Sequence, residues 1–553
     1  MSAGAGSGPT RRAWLGAVGA AALGGLAGCD RGAPPAPVPD WEPDGASISR
    51  WVGAAAGRGH RLRRSDALPA PTLPARRAGV LVLGGGVAGL AAARSLLRAG
   101  IDDVHLLELE DQPGGNARGH SLGGRACPLG AHYLPVPGES AREVRALLEE
   151  LGLMRFELGR WVADERHLCH SPQERLFHDG AWHDGLLPPA APGSTRLAQY
   201  RRFGQLVTTA QRELGFSLPS HRTPWRPGHA ALDAITFASW LDAQGLTDPA
   251  LRWYLDYSCR DDYGADSRAV SAWAGLHYFG SRHGFHAPAD EAGERDGVFT
   301  WPEGNAWLTR RLAAPLGAGR LHSGQTVLRV EAGRHEVQAL VWDEAAQAAR
   351  RWVAPQAVLA LPLHVTARIW AGAPAALTQS ARDTPQAPWL VANLLLREPL
   401  LERVGAEPAW DNVVYGSAGL GYVDAGHQGL RPDRARTLLT AYRALPVTER
   451  AALLDRPPAH WAQQVLADLA PVHPDLPTKL TQVDLMRYGH AMAIPAPGVR
   501  GSAARAALRT LAGRIQLAHA DLAGYSVFEE AYTAGVDAAT ALRAQLRRST
   551  RSG

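Results

Sequence analysis

Gly84, Gly86 and Gly89 follow the apolar run Val80-Leu81-Val82-Leu83 and precede the helix-forming stretch Leu90 to Leu97. That spacing suits a phosphate-bearing ligand. One glycine makes a tight strand-to-helix turn, one lets backbone approach a pyrophosphate, and one lets helix and strand pack closely. Val87 and Ala88 then lie where unpaired N–H groups and the positive end of the helix dipole face the phosphates. A second apolar run, Val104 to Leu107, ends at Glu108, the place for a carboxylate that holds ribose hydroxyls, with Glu110 and Asp111 as rivals. In a chain with 60 glycines the spacing alone is a weak signal. The strand, turn, helix, strand context makes it a dinucleotide-binding fingerprint.

A different chemistry is concentrated in Trp253-Tyr254-Leu255-Asp256-Tyr257-Ser258-Cys259-Arg260-Asp261-Asp262-Tyr263. Rings and carboxylates together can cage a cationic amine, so Tyr257, Asp261 and Asp262 are candidate substrate contacts. The competing reading is a helix end with its aromatics in a core and its charges in solvent. His490, in Arg487-Tyr488-Gly489-His490-Ala491-Met492, is a candidate base or substrate contact, against the simpler role of a structural hydrogen-bond donor. Cys29, Cys127, Cys169 and Cys259 show no C-x-x-C spacing. No metal site is expected, and no disulfide framework beyond one bridge in an oxidising compartment.

The elements that must position these groups alternate in type along 553 residues, 46% of them apolar. That length and composition suffice for one large core or two to three smaller ones. Helical periodicity marks Ser140 to Leu151 and Ser194 to Leu214. Strand-like alternation returns at Val327 to Val341, followed by Ala357 to Leu361, and a mixed stretch over Leu390 to Leu396 and Arg436 to Tyr442 precedes a strand at Ile515 to Ala518 and a helix over Val527 to Leu546. The expected fold class is α/β: a nucleotide domain visited several times, with a second domain inserted between visits. The net charge of +5 comes with no basic run interleaved with aromatics, so no nucleic-acid partner is expected.

These residues resemble the flavin-containing amine oxidase and phytoene desaturase superfamily. The marks are Leu106-Leu107-Glu108 followed by Gly114-Gly115, then Gly130-Ala131-His132-Tyr133, then the closing run Ala518-His519-Ala520-Asp521-Leu522-Ala523-Gly524-Tyr525-Ser526-Val527. The resemblance implies a Rossmann-like FAD-binding domain assembled from separated segments, plus an inserted α+β substrate domain. It places Gly114 and Gly115 near the phosphates, Gly130, Ala131 and His132 under the flavin, Val327 at the adenine, Asp521 at the ribitol or a phosphate, and Tyr525 at the flavin face. Where many relatives carry arginine this chain has Asn116. Val527 opens a helix whose start would stabilise negative charge on the flavin, with Ser526 as its N-cap and Glu529 and Glu530 in the first turn. The lysine usual beside the flavin is missing: Asn393 stands in the corresponding strand, and the sole lysine, Lys479, lies far along the chain. No flavin-attachment motif occurs, which implies noncovalent FAD.

Thr10-Arg11-Arg12-Ala13-Trp14-Leu15, followed by an Ala/Gly/Leu run ending at Leu26-Ala27-Gly28-Cys29, is similar to a twin-arginine export signal closed by a lipoprotein box. Cys29 would then be lipidated and the protein anchored at the periplasmic face of a membrane. The expected organisation is an export signal at 1–29, a flexible tether at 30–77, FAD-binding segments at 78–145, 311–365 and 486–546, a mainly helical substrate segment at 146–310, a second substrate segment at 366–485, and a tail at 547–553. The resemblance implies hydride abstraction from an amine, or second from a polyene, with the electron acceptor open. A non-catalytic flavin-binding envelope scaffold and an NAD(P)-linked dehydrogenase are the readings from other classes.

Overall fold

The computed structural model describes residues 48–63, 68–282, 284–288, 297–428 and 437–549. Five parallel strands, Leu321–His322, Val104–Leu107, Val80–Leu83, Gln356–Leu359 and Ile515–Leu517, lie side by side in that order. Val80–Leu83 and Gln356–Leu359, at its centre, are short, largely apolar runs buried throughout, as a sheet covered on both faces requires. Three separated stretches of chain supply them. The helix Val87–Arg98 follows the first strand and buries Leu90, Ala91, Ala92, Ala93 and Leu96 completely. Against it packs the last helix, Phe528–Ser549, so the two ends of this layer meet.

Two glycines in the first turn are sterically obligatory. Gly84 has φ +108°, and a Cβ there would stand 2.3 Å from the Ala360 carbonyl oxygen. At Gly89 a Cβ would fall 1.8 Å from the Gly84 carbonyl oxygen, so only glycine lets the helix begin this close to its strand.

The alternation read over Val327 to Val341 resolves into a hairpin of Gln325–Ala332 and Val337–Asp343. Ala348–Ala354 continues it, with Trp370–Ala371 and Arg76–Arg77 at the edges. A further sheet has eight strands, and its spine is Gln386–Leu396 between Thr437–Ala444 and Leu480–Ala493. On it sits a helical layer including Thr195–Leu214, Pro249–Tyr263 and Ala272–Gly280.

The reading of 146–310 as mainly helical is corrected at its start. Glu174–His178 and Ala181–Asp184 form a hairpin joined by Asp179-Gly180, both with positive φ, which is the Asp-Gly pair of a two-residue turn. Met154–Glu157 and Arg160–Ala163 form another across Leu158-Gly159. The stretch 30–77 also departs from a tether within its described residues. Ser49–Trp51 adds a parallel strand to Val483–Leu485. Ile48 and Trp51 pack into the core beneath that sheet, and Arg50 pairs with buried Asp484 at 2.8 Å. Apolar side chains and one ion pair outweigh the surrounding Gly and Ala. Cys29 and the twin-arginine stretch lie outside the described residues. Among the described residues no disulfide forms and no helix is long and apolar enough to cross a membrane.

Candidate functional site

A cavity of about 400 Å³ is lined by the glycine turn, the Gly130 segment, the end of the helix Pro249–Tyr263 and the start of the last helix. At one part of its wall Gly84, Gly85, Gly86, Val87 and Ala88 face Gly114 and Gly115. The two turns are held together by the Gly114 N–H, which donates to the Gly85 carbonyl at 2.7 Å. The helix that opens at Val87 has no side-chain cap, so its first N–H groups remain for a ligand. Glu108, on the same wall, accepts from the Gly85 N–H at 2.7 Å and the Glu110 N–H at 2.9 Å. Burial raises its pKa, with those two bonds opposing. An uncapped helix start, a floor without side chains and one carboxylate fit the pyrophosphate and ribose of a dinucleotide.

The next wall is built by hydrogen bonds to backbone. Asn116 supplies two: its carbonyl accepts from the Ala131 N–H at 2.9 Å, and its side-chain amide donates to the Ala491 carbonyl at 2.5 Å. The Tyr442 hydroxyl donates to the Gly130 carbonyl at 3.2 Å, Tyr488 to the Leu129 carbonyl at 2.7 Å, and Asn305 Nδ2 to the Tyr133 carbonyl at 2.8 Å. Gly130 to Tyr133 is thereby pinned as a flat ledge. Over it stand aromatic rings: His132 stacks on Tyr442 with centroids 4.4 Å apart, and Trp410 lies 5.4 Å from His132 and 6.0 Å from Tyr133. Burial lowers the pKa of His132 to about 3, so it is neutral at physiological pH.

The polar end belongs to Asp261, Asp262, Arg282 and Glu529, all on the cavity wall. Arg282 donates to Asp262 at 2.9 Å and lies over the Tyr278 ring. Burial first, then the neighbouring Asp262 charge, pushes Asp261 up to about 7 despite Arg282. Burial also raises Glu529. Three carboxyls share one guanidinium, an excess of negative charge that favours a cation.

Gly84, Gly86, Val87, Ala88, Glu108, Gly114, Gly115, Gly130, Ala131, His132, His490, Asp521 and Val527 all line this one cavity, although they come from distant parts of the chain. Gly89 stands behind the wall and sets its spacing. Asp521 accepts from the Leu363 N–H at 3.0 Å. The His490 ring lies 4.7 Å from that of His364, and burial, aided by nearby cationic groups, lowers its pKa to about 4.

Besides Gly89, four expected residues are not on that wall. The Tyr525 hydroxyl donates to buried Glu530 at 2.7 Å, and its ring packs on Tyr263 and His277, because the turn at Gly524 directs it into the helical core. Asn393 is wholly buried: it donates to the Pro128 carbonyl at 3.0 Å and accepts from Thr440 at 2.7 Å, so it supports the ledge from behind. Tyr257 stacks on Trp253 and donates to the Leu420 carbonyl at 3.4 Å. Val327 pairs with Val341 in the core. Ser526 accepts from the Ala493 N–H at 3.3 Å and leaves the last helix, which begins at Phe528.

Lys479 is also remote. It donates to the Pro399 carbonyl and pairs with Asp475 at 2.9 Å. The residues missed from sequence were Arg282, Asn305, Trp389, Tyr442 and Tyr488. The last three sit in strand-like runs whose aromatic content was the available signal.

Comparison with known proteins bears on the family and the fold. Putrescine oxidase of Kocuria rosea is 30% identical over 165 residues, covering 29% of this chain and 30% of that protein. Phytoene dehydrogenase of Streptomyces griseus is 29% identical over 276 residues, covering 48% and 51%. The matches thus span between 30% and 51% of these relatives' own length. In fold, the structure resembles putrescine oxidase bound to putrescine, with a TM-score of 0.65 at 18% identity over 85% of this chain and 100% of that one. The description flavin containing amine oxidoreductase fits residues 87–543, a span that holds most of the cavity wall and both of its ends, and the chain belongs to that family.

Proposed function

We propose that this protein is an FAD-dependent oxidoreductase that removes a hydride from the carbon bonded to the nitrogen of a cationic amine. The observation that carries the reading is the Asp261, Asp262 and Glu529 group facing a single guanidinium in an aromatic-lined cavity. When bound, FAD accepts the two electrons and the hydrogen of a C–H bond, the chemistry a protein side chain cannot supply. The chain's residues have other tasks. The first N–H groups of the helix at Val87 hold phosphate, Glu108 holds ribose hydroxyls, and the ledge Gly130 to Tyr133 supports the ring system. Trp389 and Tyr442, on the wall, exclude water and offer ring faces to an ammonium, while Trp410 packs against His132.

A polyene, the second candidate after the phytoene dehydrogenase likeness, would set three carboxyls and one guanidinium against hydrocarbon, leaving them without the cation that their excess favours. No lysine stands on the wall, so a quinone or another carrier is the favoured electron acceptor over oxygen. Arg11, Arg12 and Cys29 support export in folded form and anchoring at the periplasmic face of a membrane. The test is anaerobic addition of primary amines and diamines to flavin-loaded protein. Bleaching of the flavin bands is expected, and it excludes a scaffold without turnover. Bleaching by polyenes alone, or by nothing, ends the amine reading.

A further inference from the structure

We propose that Asp261 is the general base of this cavity: its carboxylate takes a proton from the bound ammonium, an N–H bond breaking and an O–H bond forming. This rests on the amine reading above. Hydride cannot leave the carbon beside a quaternised nitrogen, because the nitrogen lone pair must stabilise the iminium carbon that forms. An alkylammonium has a pKa near that of lysine, about 10, so at pH 7 roughly one molecule in a thousand carries the free pair. A cation recruited by carboxylates must lose its proton inside the cavity.

The wall offers few acceptors. Asp262 is engaged by the Arg282 guanidinium at 2.9 Å, and Glu529 is drawn to the same cation. His132 is stacked on Tyr442, with its pKa near 3. His519 Nδ1 accepts the Asp521 N–H at 3.1 Å. His490 packs against His364 amid cationic neighbours and is only weakly basic at about 4. Burial raises Tyr133 and Tyr442 far above their ordinary range, so neither hydroxyl is available as an anion.

Asp261 differs from all of these. Among the described residues its hydrogen-bond partner is the Tyr133 hydroxyl, at 3.5 Å from one oxygen. Tyr133 is itself fixed through its carbonyl by Asn305. One edge of the carboxylate is oriented and the other is left for a substrate. The groups that face it are Asp262 and Arg260 on its own helix, Arg282 beyond the next helix, Tyr133 from the ledge, Asp411 and Tyr442 from the large sheet, and Tyr257 one turn back. Burial first, then the Asp262 charge, both opposed by Arg282, leave it titrating at about 7, the range in which a base both exists as an anion and binds a proton well.

The experiment is the pH profile of kcat/KM for flavin reduction by a primary amine, with wild type and Asp261→Asn. Wild type should rise through a pKa near 7 and fall near the amine's own, about 10. Asp261→Asn should lose roughly 100-fold at pH 7, and its profile should climb without a limb at 7 toward the amine pKa. Asp261→Glu should restore the limb. A quaternary ammonium, which has no proton to give, supplies a readout without turnover: its affinity for wild type should strengthen as pH rises through 7 and be flat in Asp261→Asn. If Asp261→Asn fails to fold, that titration of wild type decides, and a flat result overturns the proposal. Reduction of wild type with the limb at 7 kept in Asp261→Asn overturns the base alone. No reduction of wild type by any amine overturns the amine reading and the base with it.

Discussion

The pair of Asp262 and Arg282 decides how charge is held in the cavity wall. Asp262 is 7% exposed and the Arg282 side chain 13%, so each is the other's main source of solvation. Removing one partner of a buried pair leaves the other desolvated, a loss of about 3–5 kcal/mol. Asp262→Asn should therefore lower unfolding free energy by about that amount in denaturant titration. The double variant Asp262→Asn with Arg282→Met should recover part of it, because the stranded cation is gone. A loss in the double variant equal to the sum of the losses in Asp262→Asn and Arg282→Met alone would show that the two groups are energetically independent. The adjacency of Asp261 and Asp262 was readable from the sequence. Their difference was not, since it depends on a guanidinium twenty residues away that reaches back across a helix. For the same reason Tyr525 misled: its place beside Gly524 resembles a family element, but the local turn sends the ring into the core.

At the scale of elements, short-range chemistry was readable and long-range pairing was not. The strand, glycine turn and helix at 80–98 follow from spacing alone, because steric exclusion at Gly89 acts between groups five residues apart. Gly89→Ala should push the helix off its strand at a cost near the upper end of about 1–3 kcal/mol, and the protein should lose bound flavin on gel filtration. Retention of flavin with unchanged melting would mean that the turn tolerates the added methyl. By contrast, Ser49–Trp51 looked like linker since its strand partners, residues 483–485, lie far along the chain and its neighbours are Pro, Gly and Ala. The anchor is Asp484, 0% exposed, which accepts from Arg50 at 2.8 and 3.0 Å, His120 at 2.7 Å and Gln482 at 2.7 Å. Burial alone would raise its pKa, but hydrogen bonds from His120, Arg50 and Gln482 outweigh that and hold it well below the ordinary carboxylate range. A depressed folded pKa means that this stabilisation is whole above pH of about 4, the unfolded value, and is lost as pH falls through the folded one. Acid unfolding of wild type should accordingly be steeper than that of Asp484→Asn, which should be less stable at pH 7 and lose less between pH 4 and 2.

For the whole molecule, the cavity joins polypeptide from residues 84–135, 261–305, 360–389, 442–492 and 519–531, so a ligand filling it ties together segments that nothing local connects. The closure of this layer was legible because each end carries its own glycine or acidic signature. The aromatic surroundings of the ledge were not, because Trp410 and Tyr442 become neighbours of His132 only after the eight-stranded sheet has formed. A ligand that binds only the folded chain stabilises it by about 2.7 kcal/mol at a hundred times its dissociation constant. Stripping FAD should therefore lower the melting temperature, and re-addition should restore it in a concentration-dependent way. An FAD-independent melting temperature would mean that the segments are held without the cofactor. That dependence bears on how the chain reaches its place of work. If folding is completed around a cytoplasmic cofactor, the protein must cross a membrane folded, and a twin-arginine route with lipidation at Cys29 meets the need. Two or more acyl chains anchor durably because each buried CH₂ contributes about 0.8 kcal/mol. Cys29→Ser should then leave export intact and shift flavin-loaded protein from the membrane to the soluble periplasmic fraction. Arg11→Lys with Arg12→Lys should instead retain it, flavin-loaded, in the cytoplasm. Membrane association that survives Cys29→Ser would place the anchor elsewhere in the chain.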